Sequence, residues 1–216
     1  MKNIYSNIFS FSKKVLKKTY LSLNQGKIVG LPTETVYGVA GNAYSKKAIK
    51  NIYKIKKRPK RNPLIIHYYN IKRAERDVIL NKFFYKLFKK FCPGPITFVL
   101  KKKQNSKICS LATANLDTVA IRFPSHKIIR SILKFSNFPL AMPSANISSK
   151  LSPVNVFDVL DEFKDRLKII INGGQAKFGI ESTVIDLTSK PKILRPGIIS
   201  SQEIKKILNT KFSQKK

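Results

Sequence analysis

Short apolar runs recur along the chain between stretches with helical spacing, and this alternation constrains the fold more than any other feature. The runs are KIVGLP (27–32), PLIIHY (63–68), ITFVL (96–100), TVAIRFP (118–124), PLAMPSA (139–145), KIIING (168–173), STVIDL (182–187) and KILRPG (192–197). Each is too short for a helix and is bounded by turn residues, so each reads as a strand. Helical spacing covers 9–24, ending near Gly26, with Phe11, Val15 and Leu16 on the inner face. It returns over 45–57 with Ala48, Ile49, Ile52 and Tyr53, and Pro59 stops that helix. Residues 80–91 line up Leu80, Phe83, Phe84, Leu87, Phe88 and Phe91 on one core-facing stripe. Further helices are predicted over 126–135, 156–167 and 201–209. The segment TETVYGVAGNA (33–43) reads as turn-rich, 101–109 as an exposed hairpin or loop, and 147–156 as a Ser/Pro/Asn loop. Strands interleaved with helices, some of them hairpin-like pairs, predict an α/β domain with a mixed sheet. The whole of 1–216 is taken as a single domain, with 201–216 as a closing helix and tail.

A hydrophobic share of 43% in 216 residues suffices for a packed core without disulfides or metal. Cys92 and Cys109 have no CxxC spacing and no histidine cluster beside them, so they read as free buried thiols in a reducing compartment. No apolar run reaches the length of a membrane span. The basic N-terminus MKNIYSNIFSFSKKVLKK lacks an uninterrupted apolar region and a small-residue cleavage site, so it reads as helix rather than targeting signal, in a cytoplasmic protein.

The formal charge of +32 suits phosphate neutralisation on a nucleic acid. It also suits A/T-rich codon usage, because 35 of the 43 basic residues are Lys and the chain is rich in Ile and Asn. Base-reading surfaces favour the planar Arg fork, here the scarcer cation. Both readings stay open. Common nucleotide cradles are excluded, since GxGxxG and GxxxxGK[ST] are missing. No GxSxG elbow supports a serine hydrolase built on Ser144 and His67, and two histidines do not make a zinc centre.

What remains is a set of small polar and cationic residues in loops after apolar strands: PTET (32–35), RPKRN (58–62), DTVAIR (117–122), PSANISS (143–149), GIEST (179–183) and LRPG (194–197). Ligands of open α/β sheets bind at strand ends. Hydroxyls, amides and a few cations converging there suit a ligand with phosphates and a carboxylate. Taken singly, each segment is ordinary turn chemistry.

Seven segments occur in the order GLPTETVYGVAGNA, KKRPKRNPLIIH, PGPITFVL, VAIRFPSH, PLAMPSANISS, GIESTVIDL and ILRPG. Together they resemble the threonylcarbamoyl-AMP synthase family, also called the YrdC family, over about residues 12–200. The resemblance implies a twisted, open mixed sheet with flanking helices and a concave basic face. It implies an L-threonylcarbamoyladenylate synthase, which joins L-threonine, bicarbonate and ATP into threonylcarbamoyl-AMP and pyrophosphate. A downstream threonylcarbamoyl transferase complex then passes the group to adenosine 37 of tRNAs reading codons that begin with A. Carried over residue by residue, the threonine pocket is Thr35, His67, Arg122 and Ser182, with Arg122 as the carboxylate fork. The ATP side is Lys56, Arg58, Asn62, Thr118, Ser144, Asn146, Ser152 and Arg195, with Lys56 and Arg58 acting on phosphates as catalytic cations. Mg2+ is expected with ATP, held by phosphate oxygens and water without a protein ligand. Direct contact with tRNA stays open with the reading of the charge, and no membrane partner is expected.

Two positions depart from the family pattern. Lys57 stands where Gly is usual between Lys56 and Arg58, which matters if the backbone there needs a positive φ. Met142 stands where a smaller residue is common, on the expected wall of the threonine or adenine pocket. The end of the chain 21 residues past Arg195 fits the family's short, single-domain form. The alternative from another class is a non-catalytic RNA-binding or RNA-maturation factor using the same basic concavity.

Overall fold

Side-chain caps start the helices where the sequence places Ser and Asn before an apolar stripe. Ser12 accepts from the Val15 N–H and opens α1 (Lys13–Asn24), and Ser45 accepts from Ala48 to open α2 (Lys46–Lys56). Asn70 caps the short α3 (Ile71–Ala74), and Asn81 caps α4 (Lys82–Phe91). His126 precedes α5 (Lys127–Phe135), while Asn155 and Ser200 complete capping boxes on α6 (Val156–Phe163) and α7 (Ser201–Leu208). The computed structural model describes residues 6–209, and the C-terminal tail expected past 209 lies outside them.

The strands are β1 (Ile8–Ser10), β2 (Val29–Leu31), β3 (Gly38–Asn42), β4 (Ile65–His67), β5 (Ile96–Lys101), β6 (Thr118–Arg122), β7 (Leu140–Ala141), β8 (Ile170–Asn172), β9 (Thr183–Asp186) and β10 (Lys192–Arg195). They form one mixed sheet in the order β1-β8-β2-β3-β7-β4-β6-β5-β9-β10. The alternation of runs therefore predicted the class correctly. Three expectations need correction. Residues 8–10 form an edge strand parallel to β8 rather than the start of a helix. Residues 38–42 form a strand between β2 and β7 rather than a turn. The helix expected over 156–167 ends at Phe163 and tightens into a 3-10 turn over Lys164–Arg166. No helix among the described residues is long and apolar enough to cross a membrane.

Because side chains alternate across a strand, the two sheet faces carry different sets. One face, with Val39, Ile66, Phe98, Ile121 and Ile185, is covered along its length by α2, α4, α6 and α7 in the larger core. The other is covered by α1 and α5 over β2, β3, β7 and β8, where Leu23, Ile129 and Ile132 pack on Val29, Leu31, Leu140 and Ile171. Phe11, Val15 and Leu16 lie against this second core as predicted. Past β7 that cover stops. Ile65, Ala120, Val99 and Val184, on neighbouring strands, are left half-buried. The step from covered to uncovered sheet is where a cavity forms.

Candidate functional site

His67, Arg122 and Thr97 end up side by side because β4 pairs in parallel with β6, and β6 antiparallel with β5. Each lies two residues along its strand from a half-buried position of the uncovered face, so each points the same way. They are nonetheless buried, because the loop after β2 folds across them. Thr33 organises that loop. Its Oγ1 donates to the Val36 carbonyl at 2.6 Å and accepts from the Thr35 and Val36 N–H groups. Tyr37 ties the loop to the turn after β8, accepting from Gly173 N–H and donating to the Gly174 carbonyl.

The cavity at this step is lined by Thr35, Arg58, His67, Arg122, Ser144, Ser182 and Arg195, together with Thr33, Val36, Tyr37, Met142 and Glu181. Seven of the expected site residues thus meet in one place. Its volume is about 100 Å³. That holds a small metabolite but falls short of the 300–1,000 Å³ of larger ligand sites, so a bulkier ligand must extend over the uncovered face. A roomier cavity of about 440 Å³, lined by Lys27, Lys54, Arg166 and Lys168, contains none of the expected site residues.

Two buried polar atoms of the cavity lack a hydrogen-bond partner among the described residues: Arg122 Nε and His67 Nε2. Burying them so is costly unless a ligand completes them. They are chemically complementary. Arg122 Nε–H is a donor. Burial, with the nearby Arg122 charge, pushes the His67 pKa down to about 3, so its ring is neutral. Nδ1 lies 3.3 Å from the Ile65 carbonyl, which only a protonated Nδ1 can bond, leaving Nε2 as an acceptor.

Glu34 was not singled out, and it is the main addition. It is 4% exposed, and its Oε1 accepts from Arg122 Nη2 at 2.6 Å while Oε2 accepts from the Ser125 and His126 N–H groups. Burial pushes its carboxyl up, but the Arg122 charge and these hydrogen bonds outweigh burial and hold it below the ordinary value. One nitrogen of the expected carboxylate fork is therefore already engaged by the protein. The signal was in the sequence, where Glu34 is the sole acidic residue of the first 74.

The helix end at 56–58 divides its two cations. Arg58 N–H bonds to the Tyr53 carbonyl and Lys57 N–H to the Lys54 carbonyl, and Lys57 takes φ 49 and ψ 37. This is a Schellman-type ending whose left-handed residue is usually glycine. The position does need a positive φ, and Lys57 occupies it. The reversal sends Arg58 to the cavity, braced by the carbonyls of Asn62 and Pro63, and turns Lys56 inward. Lys56 is 1% exposed, and its ammonium donates to the carbonyls of Ser144 (2.6 Å) and Asn146 and to Asn146 Oδ1. All three donors serve the 144–146 loop, and Lys56 is not among the residues that line the cavity. Burial, with Arg58 nearby, lowers its pKa to about 8.

The remaining expected residues stand at the rim or behind it. Ser144 Oγ donates to Asn146 Oδ1 at 2.6 Å, and Asn146 lies behind the wall. Asn62 is exposed beside Arg58, and continuing the β4–β6 register by two residues sets Thr118 beside Pro63. Ser152 Oγ donates to Glu181, which pairs with Arg195. Arg195 also donates to the Ser182 carbonyl and Oγ, and Ser182 Oγ meets Thr97 Oγ1 at 2.8 Å. Met142 lies on the wall against Gly38, where an added Cβ would sit 2.5 Å from the Met142 Cγ. Cys92 and Cys109 are unpaired and half-buried rather than fully buried.

The profile of the Sua5/YciO/YrdC family, described as "Telomere recombination", matches residues 22–197. The threonylcarbamoyl-AMP synthase of Pyrococcus abyssi is 43% identical over 191 residues, covering 86% of this chain and 55% of that one. A putative threonylcarbamoyl-AMP synthase of Methanocaldococcus jannaschii is 35% identical over 193 residues, covering 89% and 90%. The crystal structure of P. abyssi Sua5 complexed with L-threonine superposes with a TM-score of 0.89 at 39% identity, over 93% of this chain and 60% of that one. The chain spans about half the length of several curated relatives it matches. With a profile match over most of its residues and a 35% identical relative covered almost end to end, the chain belongs to the Sua5/YciO/YrdC family.

Proposed function

We propose that the protein is an L-threonylcarbamoyladenylate synthase. The observation that carries this reading is the pair of unpartnered buried atoms, Arg122 Nε–H as donor and His67 Nε2 as acceptor, in a cavity sized for a small molecule. A carboxylate on the donor and an amine or hydroxyl on the acceptor complete both, and threonine carries all three groups. Thr35 and Ser182 supply further hydroxyls to the lining of the same cavity.

In the proposed reaction the threonine ammonium gives up its protons to bicarbonate and solvent, bicarbonate yields CO2 and water, and the freed nitrogen adds to CO2 to give a carbamate. A carbamate oxygen attacks the α-phosphorus of ATP, and pyrophosphate leaves. Arg58 and Arg195 border the cavity where it opens, so they meet the phosphates as charge builds at phosphorus. Asn62 and Thr118 on the Arg58 side, and Ser152 on the Glu181–Arg195 side, take the rest of the nucleotide. Lys56 acts from behind by holding the Ser144–Asn146 wall. Holding both substrates in one orientation supplies much of the rate, and no step calls for a covalent protein nucleophile. Mg2+ belongs to the ATP substrate. The product is handed, in the cytoplasm, to a threonylcarbamoyl transferase complex for adenosine 37 of tRNA.

Incubation with L-threonine, bicarbonate and Mg-ATP should release pyrophosphate in a threonine-dependent manner. A folded protein that releases none refutes the enzyme reading and favours a non-catalytic RNA-binding role.

A further inference from the structure

Glu34 takes no part in the proposed chemistry, does not line the cavity, and yet is buried as a carboxylate. An internal ion pair is weak evidence of stabilisation, since an apolar pair of the same volume often does as well. Its geometry serves another end. The main chain at Glu34 is fixed twice: by the Thr33 turn beside it, and by the Phe178 N–H, which donates to the Glu34 carbonyl. Its Oε2 is fixed by two N–H groups leading into α5. Only Oε1 reaches Arg122, and it takes Nη2, which leaves the buried Nε–H without a partner among the described residues.

We infer that Glu34 is the positioning and specificity-determining residue of the inner cavity, orienting Arg122 and cancelling its charge so that a zwitterionic amino acid is preferred to an anion. This rests on the proposed threonine site. With Glu34 ionised, Arg122 cationic and His67 neutral, the inner group sums to zero. A net-neutral ligand whose carboxylate meets Nε–H and whose amine meets His67 Nε2 leaves no charge uncompensated. Inorganic phosphate or a second carboxylate would bring a surplus negative charge close to Glu34. At the rim Arg195 is already paired with Glu181, so Arg58 is the uncompensated cation there, and anions are drawn to it and not inward.

The test is Glu34→Gln in the full chain, keeping shape and removing charge. The KM for threonine should rise about tenfold, with the KM for ATP within twofold of wild type. Inorganic phosphate should become a competitive inhibitor against threonine at several-fold lower concentration than in wild type. An unchanged threonine KM overturns the inference. So does a raised threonine KM with phosphate inhibition unaltered, because a packing defect would weaken threonine without admitting an anion. If Glu34→Gln does not fold, Glu34→Asp keeps the charge on a shorter arm. It should weaken threonine while still excluding phosphate, and phosphate admission in that variant refutes the charge argument. A wild-type protein that neither binds threonine nor releases pyrophosphate defeats the proposed function. Direct phosphate binding to wild type and Glu34→Gln then still decides the role of Glu34.

Discussion

Replacing Arg122 with alanine removes the countercharge of a carboxylate that cannot leave the interior. Both side chains of the Arg122–Glu34 pair are 5% exposed, and the contact is 2.6 Å. Breaking a buried pair from one side costs about 3–5 kcal/mol, mostly the uncompensated partner. Glu34 keeps two N–H donors from Ser125 and His126, which places the expected loss near the lower end, about 3 kcal/mol. For a chain of this size that lowers Tm by about 6–12 °C. The loss should depend on pH with a definite sign. In the intact protein the Glu34 pKa is lowered, so its contribution is present above the ordinary carboxylate value of 4.5 and fades as pH falls through the folded value. Without Arg122, burial dominates and raises the folded pKa, so Glu34 destabilises at neutral pH and that penalty is relieved by protonation. Urea unfolding followed by circular dichroism should therefore show a smaller difference between variant and wild type at pH 4.5 than at pH 7. Adding Glu34→Gln to an Arg122→Met background should restore more than half of the loss. A loss under about 1 kcal/mol, or one independent of pH, would refute the view that the pair is an interior charge couple. Below its transition, the Arg122→Ala protein should bind threonine weakly and ATP nearly normally, and equal loss of both would contradict the assignment of Arg122.

Lys57→Gly relieves a left-handed backbone that costs an L-residue about 1–2 kcal/mol, less about 0.5–1 kcal/mol for glycine's greater unfolded freedom. Scanning calorimetry should show Tm raised by up to about 6 °C with activity retained; a fall would mean that the Lys57 side chain makes a contact worth more than the strain. His67, with a folded pKa of about 3, stays neutral across pH 5–8, so threonine affinity should be flat there. Because the folded state binds fewer protons than the unfolded one between about 3 and 6.5, stability should drop as pH falls below 6.5, by up to about 1.4 kcal/mol per pH unit. An NMR titration of the His67 ring with a midpoint near 6.5 would contradict this.

Much of the frame could be read from local pattern. The runs ITFVL, TVAIRFP and PLIIHY became the adjacent strands β5, β6 and β4, and the Phe84 and Leu87 stripe became the buried side of α4. Such elements are legible because period and burial are set within a few residues. β3 was missed because GVAGN lacks β-branched density and gains its place from β2 and β7. β1 was missed for a similar reason, since its partner β8 lies about 160 residues away. The motifs also named seven residues that meet in the cavity. They did not tell Lys56 from Arg58. One left-handed residue between them sends one cation behind the wall and the other in front, and backbone reversal is invisible to composition. Nor did they assign Glu34, though it stood out as a lone acid among 74 residues. The sequence by itself determined the α/β class, most strands and the identity of the polar groups. Tertiary structure alone decided which sheet face stays uncovered, which cations reach the cavity, and that Arg122 meets a carboxylate 88 residues away. Periodicity is a property of neighbours along the chain, whereas desolvation and pairing of charge depend on what long-range packing brings against them.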